Sequence, residues 1–213
     1  ALDACIDDFE MHVSVPVKIL AFEKNRGLGL ALRDGVFACR NEYIARMDSD
    51  DIAKPERFLK QITYLEKNPE IVLLGSRITE FSANAEYPDT ITELPLSDDD
   101  IREYAKSRNP FRHMTIIYRK SAILDVGNYR SFLWFEDYDL WIRIMHRGYK
   151  VENLQECLVN VRANDAMFAR RGGWKYLKQD FYFQQYLYNI GFIGTKVFYK
   201  NLILRFIVRL LPY

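Results

Sequence analysis

The chain has 213 residues, of which 49% are apolar and 15% aromatic, enough to build a packed core and too apolar for a disordered segment. Its formal net charge of +1 lacks the basic surplus of a general nucleic-acid binder, so nucleic acid is not expected among its partners. Cys5, Cys39 and Cys157 are odd in number and far apart, without metal-ligand spacing, and read as buried free thiols of a reducing compartment.

The first residues, ALDACIDDFEMH, already read as a helix and begin with Ala, so further residues are expected in front of them. No secretory leader and no run of 18 uncharged apolar residues is present. Pro16 opens the alternating stretch PVKILAF, a strand candidate. After the turn EKNRG, Leu28, Ala31, Leu32 and Val36 recur at helical spacing. EYIARM then predicts a strand ending at the acids Asp48, Asp50 and Asp51. Pro55 opens a helix with Phe58, Ile62 and Leu65 as its apolar face, and IVLLGSRITEF is a β-branched strand.

Residues 82–97 are polar and contain proline, and read as a loop. SDDDIREYAKSR begins with a helix cap, and MTIIYRKSAILDVG gives a strand and a short helix. FEDYDLWIRIMHRG opens on acids, closes on Arg143 and Arg147 and stops at Gly148, a charge pattern that complements a helix dipole. YKVENL and CLVNVRA read as two further strands. From about residue 167 the chain turns basic, aromatic and helical, so the expected division is an α/β domain over residues 1–166 and a helical extension over 167–213. Strands alternating with helices over residues 17–81 predict an α/β class with a mostly parallel sheet flanked by helices.

The acids carry the chemistry. In an extended chain Asp48 and Asp50 point to one side, and two unit charges about 5 Å apart repel by roughly 3 kcal/mol at an effective dielectric near 20. Water offsets that, or a cation does; a hard divalent ion takes oxygen ligands and bridges carboxylates to phosphates. The position, after a strand of an α/β sheet, is where such sheets bind ligands. Of the chain's other D-x-D pairs, Asp98/Asp100 is explained by helix capping and Asp137/Asp139 opens a helix. Dehalogenase-like phosphatases would need Thr or Val where Ile52 stands, and nucleotidyltransferases an upstream Gly-Ser that is missing.

With Asn25-Arg26-Gly27, Asp48-Ser49-Asp50-Asp51 and Glu136-Asp137-Tyr138-Asp139-Leu140-Trp141 in this order, the chain resembles family 2 glycosyltransferases of the GT-A fold over about residues 1 to 180. NPFRHMT and RRGGWKYLK are similar to the bacterial enzymes of exopolysaccharide, capsule and O-antigen assembly, the amylovoran biosynthesis glycosyltransferases among them. The resemblance implies an inverting enzyme moving a hexosyl or N-acetylhexosaminyl group from a nucleotide-diphosphate donor, often UDP-linked, to a saccharide or polyprenyl-linked acceptor. Asp50 would ligate Mn2+ or Mg2+, with Asp48 on the ribose or sharing the metal, and Asn164 would stand where relatives carry a His ligand.

Asp137 would be the general base, with Glu136 orienting the acceptor. Arg26 and Gly27 would approach the nucleotide, Arg170 and Arg171 would hold a diphosphate or a lipid phosphate, and His113 and Trp141 would line the acceptor pocket. Relatives often have Asn where this chain has Arg33, and they open with a strand, a helix and a second strand that are absent here. The rival reading is a catalytically silent GT-A-like module for nucleotide binding or assembly. The apolar-basic segment 197–213 fits peripheral contact with the inner face of the cytoplasmic membrane, packing on the domain, or a homodimer.

Overall fold

A computed structural model describes residues 2–82, 85–162 and 173–210. In chain order the elements are α1 (Leu2–His12), α2 (Leu28–Ala38), β1 (Tyr43–Ala45), β2 (Ile52–Ala53), α3 (Arg57–Lys67), β3 (Ile71–Phe81), β4 (Thr90–Thr92), α4 (Asp98–Tyr104), a 3-10 turn (His113–Thr115), β5 (Ile117–Arg119), α5 (Lys120–Asp125), α6 (Glu136–His146), β6 (Lys150–Arg162), α7 (Gly173–Asn189) and α8 (Thr195–Leu210). The sheet runs β1-β5-β3-β6-β2, with β4 also paired to β3.

The sheet is mixed. β3 and β6 pair in parallel, while β1/β5, β3/β5, β3/β4 and β2/β6 are antiparallel, so the mostly parallel sheet expected from alternation does not form. The short strands cause this. β2, β4 and β5 are two or three residues long and carry too little pattern to announce their pairing direction. β4 lies inside the stretch read as a loop, and the two strands expected over 149–163 are one continuous strand, β6.

The expected strand at 16–22 is also absent. Among the described residues these pair with no strand, and Val17, Ile19, Leu20 and Phe22 are exposed. A two-residue alternation prepares a strand to be buried on one face, but only a partner's N–H and C=O groups make it one.

The core lies between the sheet and α6. Leu140, Trp141, Ile142 and Ile144 from α6 meet Leu73, Val151 and Tyr118 from the strands. α6 buries residues around its whole girth, including the ion pair Asp139–Arg143, whose guanidinium also donates to the carbonyls of Val126 and Asn128. A buried charge needs such a partner and such acceptors.

α3 departs from the predicted apolar face. Leu65 is buried, but Phe58 is 56% exposed, and the side chains turned inward beside Leu65 are Arg57 and Gln61. Arg57 donates to the carbonyls of Arg46 and Ile116 and to Gln61 Oε1, while Gln61 donates to the carbonyls of Leu74 and Thr115. Arg46, Thr115 and Ile116 lie just outside the short strands β1 and β5, where carbonyls turn to side-chain donors, although Ile116 also accepts from the Arg46 N–H. Two long polar side chains satisfy them, which an apolar helix face could not do. At the chain's end α7 and α8 pack against each other as a helical hairpin.

Candidate active site

β1 and β2 lie on opposite sides of the sheet order, so the segment 46–51 between them crosses the sheet with the acids on it. Its two ends are tied down. Arg46 N–H donates to the Ile116 carbonyl and its own carbonyl accepts from Arg57, while the backbone N–H of Arg162, at the end of β6, donates to Asp51 Oδ1.

Within this crossing, Arg46 grips both oxygens of Asp48 through its two terminal nitrogens. This is the bidentate fork that suits guanidinium and carboxylate. Asp50 is exposed and makes no hydrogen bond to a described residue. Asp51 is partly buried; burial, with Asp48 and Asp50 adding repulsion, raises its carboxyl to about 6.

α6 points its first turn toward the same charge. Asp137 Oδ1 accepts from the N–H of Tyr138 and Oδ2 accepts from Asn109 Nδ2, both at 2.7 Å. Burial raises the Asp137 carboxyl above the usual range, against the pull of Asn109, of the helix N–H and of Arg46. Glu136, one residue earlier, is raised to about 7, first by burial and then by Asp137, with Arg46 again opposing. Arg46 thus acts electrostatically on Asp51, Glu136 and Asp137 alike, so the acid crossing and the start of α6 share one cation.

The third motif joins them through α2. Gly27 has φ 85°, a left-handed conformation that favours glycine, and its N–H donates to Asn25 Oδ1 as α2 begins. Two residues on, a Cβ at Gly29 would lie 2.3 Å from the Arg130 carbonyl oxygen and 3.1 Å from Glu136 Cβ. Only a glycine lets α2 come this close to the segment leading into Glu136. Arg26, read as a nucleotide contact, is engaged by Asp34 and stands over the ring of Phe22 at 4.5 Å.

His113 Nε2 lies 2.9 Å from the Tyr129 hydroxyl, and its ring meets the edge of Trp141 at 5.8 Å. Burial and Arg46 hold its imidazole well below the usual range, so it is neutral at pH 7. Trp141, read as lining the acceptor pocket, is 0% exposed among Phe111, His113 and Tyr129. No acceptor reaches it in this arrangement; it supports His113 from behind. Asn164, Arg170 and Arg171 lie outside the described residues.

The residues missed by sequence reasoning are Arg46 and Asn109. Arg46 carried a usable signal: it stands two residues before Asp48 in an extended stretch, which puts both on one side. Asn109 heads the NPFRHMT stretch, but nothing in the sequence ties it to Asp137, 28 residues further on.

No group of three or more His, Cys, Asp or Glu placed to hold a metal occurs among the described residues. A divalent ion still fits the acid crossing. Mg2+ is commonly held by one or two carboxylates together with substrate phosphates rather than by an all-protein cage. Asp50 offers an exposed carboxylate for this, while both oxygens of Asp48 are taken by Arg46.

The raised Glu136 has a consequence for stability. Between the ordinary glutamate value and about 7 the folded chain holds a proton that the unfolded chain has lost, so folding weakens as pH rises through that window. Glu136→Gln removes the charge. We expect it to melt higher than the parent at pH 8, by the equivalent of about 1–3 kcal/mol, with the gap closing at pH 5. Thermal melts of both proteins at the two pH values check this.

An acid crossing between strands, a helix-borne carboxylate beside it and a mixed sheet backed by helices define an α/β domain of the GT-A class. Two solved structures share the fold. TarS 1-349 from S. aureus, in complex with UDP-GlcNAc, superposes with a TM-score of 0.65 at 12% identity, over 94% of this chain and 58% of that one. The mannosyltransferase PcManGT from Pyrobaculum calidifontis, in complex with GDP-Man and Mn2+, gives 0.63 at 12% identity, over 94% and 54%. The chain therefore spans a little over half the length of these structures.

The family model Glycosyl transferase family 2 matches residues 6–127. The amylovoran biosynthesis glycosyltransferase AmsE of Erwinia amylovora is 41% identical over 201 residues, covering 93% of this chain and 74% of that protein. The UDP-Gal:alpha-D-GlcNAc-diphosphoundecaprenol beta-1,3-galactosyltransferase of Escherichia coli is 35% identical over 211 residues, 99% of this chain and 76% of that protein. The chain belongs to glycosyl transferase family 2.

Proposed function

We propose that the chain transfers a hexosyl or N-acetylhexosaminyl group, with inversion, from a nucleoside-diphosphate sugar to an acceptor hydroxyl in the assembly of a bacterial surface polysaccharide. A UDP-linked donor and a polyprenyl-linked saccharide acceptor, met at the inner face of the cytoplasmic membrane, are the specific form of this reading. The observation that carries it is Asp137: a carboxylate of raised basicity, aimed by Asn109 and the helix N-terminus, and placed in the field of the arginine that organises the acid crossing. The relatives AmsE, an amylovoran biosynthesis glycosyltransferase, and the diphosphoundecaprenol galactosyltransferase support the polysaccharide setting.

In this reading Asp137 takes the proton from the acceptor hydroxyl as that oxygen bonds to the anomeric carbon. The bond from that carbon to the diphosphate breaks on the opposite face, which inverts the configuration. Glu136 receives a neighbouring acceptor hydroxyl, and neutral His113 offers its ring at the edge of the pocket. Asp50 would hold Mn2+ or Mg2+, with Asn164 as a further candidate ligand and Asp48, gripped by Arg46, toward the ribose, and Arg170 and Arg171 would receive donor phosphate. Such an ion supplies neutralisation of the charge that builds on the departing diphosphate.

Calorimetric titration with UDP tests the donor half. We expect Mn2+ to tighten UDP binding and Asp50→Asn to remove that gain, on the order of tenfold. Equal affinity with and without Mn2+ in both proteins would overturn the assignment of Asp50.

A further inference from the structure

We propose that the outer face of the α7–α8 hairpin is a docking surface for an anionic lipid bilayer, which seats the acceptor side of the site at the membrane. This deepens the membrane setting of the reading above and rests on it.

α8 is turned partly inside out. Its first turn packs Val197 and Phe198 against the core, as a surface helix should. Beyond that the seam facing the protein is polar. Asn201, nearly fully buried, donates to the Lys106 carbonyl and to Gln184 Oε1, and Arg205 donates to Asp180 and to the Ser107 carbonyl. The large apolar side chains point to solvent instead: Ile203 at 62% exposure, with Leu204, Phe206, Ile207 and Val208 each about half exposed. Trp174 of α7, 70% exposed, meets the Phe206 ring edge-on at 6.4 Å and extends the patch onto the neighbouring helix. A soluble helix buries such a stripe, and a contiguous exposed one marks an interaction surface.

Charge selects the occupant. From residue 173 to 210 the chain carries Lys175, Lys178, Lys196, Lys200, Arg205 and Arg209 against the single acid Asp180, which Arg205 already pairs. Lys196 and Lys200 stand exposed on the outer helix. Two copies meeting on this face would oppose like charges, whereas anionic headgroups complement them. A helix of 16 residues is about 24 Å long, and among the described residues none is long and apolar enough to cross a membrane, so the fitting arrangement is in-plane burial of the apolar stripe.

The hairpin also connects to the site. Its polar seam clasps the carbonyls of Lys106 and Ser107, and two residues further Asn109 holds Asp137. A bilayer under α7 and α8 is then separated from the segment that aims the proposed base by the hairpin itself, a helix layer a lipid-linked acceptor would reach past to present its sugar.

Vesicle co-sedimentation of the 213-residue chain tests this, using phosphatidylcholine alone and phosphatidylcholine mixed with phosphatidylglycerol, at low and high salt. We expect binding to the anionic vesicles that weakens with salt, and a loss of about tenfold or more in the double variant Ile203→Glu/Phe206→Glu and in Lys196→Glu/Lys200→Glu. All four positions are exposed, so near-parental melting temperatures and unchanged transfer to a water-soluble saccharide acceptor accompany that loss. Vesicle binding that is absent, or equal in parent and variants, overturns the proposal. So does a dimer in sedimentation velocity that the apolar variant dissolves, since the face would then belong to a second copy. Failure of sugar transfer with vesicle binding intact would instead count against the catalytic reading alone.

Discussion

Asp137→Asn is expected to lower the transfer rate by about 10²- to 10⁴-fold, the range a positioned general base supplies. Donor binding should survive, because the change is nearly isosteric and the acid crossing keeps its own anchors at Ile116, Arg57 and Arg162. The sign of the pH dependence follows from burial. Burial raises the Asp137 carboxyl, so the ionised form that accepts a proton is lost at a higher pH than for an ordinary aspartate, and kcat/KM should fall on the acid side accordingly.

The same shift makes the ionised carboxylate a burden on the fold. Above the ordinary aspartate value the folded chain clings to a proton the unfolded chain releases, and stability declines as pH rises through that interval. Asp137→Asn should therefore fold at least as well as the parent at pH 8 while transferring sugar poorly. Steady-state rates, donor calorimetry and melts on one preparation check all three. A variant that retains parental turnover, or loses rate only because it no longer folds, removes Asp137 from the role of base.

Much of this architecture could be read from the chain. The acid-rich starts of α4 and α6, the glycine stop after α6 and the apolar, β-branched ends of β3 are local signals with local causes, and each element formed where its pattern placed it. Ser97 caps α4 as its position before three aspartates implied, accepting from the Asp100 N–H.

What was not legible depends on partners distant in sequence. The stretch 16–22 alternates like a strand but meets no edge among the described residues, so its pattern stays unrealised. Arg57 and Gln61 look like the solvent face of α3 and are buried, because carbonyls just outside the strands, those of Arg46 and Thr115, take donors from them. Trp141 looked like a site aromatic from its place beside the acids, yet α6 is enclosed on every side and the indole is core. In the site itself, the motif acids could be picked out one by one, while the arginine that relates them could be recognised only with both segments in place.

That arginine sets the second large expectation. Arg46→Met keeps a long, apolar stem in a nearly buried position and removes only the charge and its fork. Asp48 then sits unpaired beside Asp50 and Asp51. Leaving a paired carboxylate without its cation costs about 3–5 kcal/mol when both are buried, and Asp48 is about one-third exposed, so a loss of about 2–3 kcal/mol is expected in chemical denaturation. The second effect is at a distance. Glu136 and Asp137 lose a positive charge that holds their carboxyls down, so the acid limb of kcat/KM should move to higher pH.

Arg46→Lys separates the two contributions. A lysine restores a charge but not the two-pronged grip on Asp48, so it should return much of the pH limb and little of the stability. Adding Asp48→Asn to Arg46→Met removes the stranded carboxylate and should do the reverse. If Arg46→Met leaves the acid limb where the parent has it, the cation is a clamp for Asp48 only. The acid crossing and the start of α6 would then be neighbours without being electrically coupled.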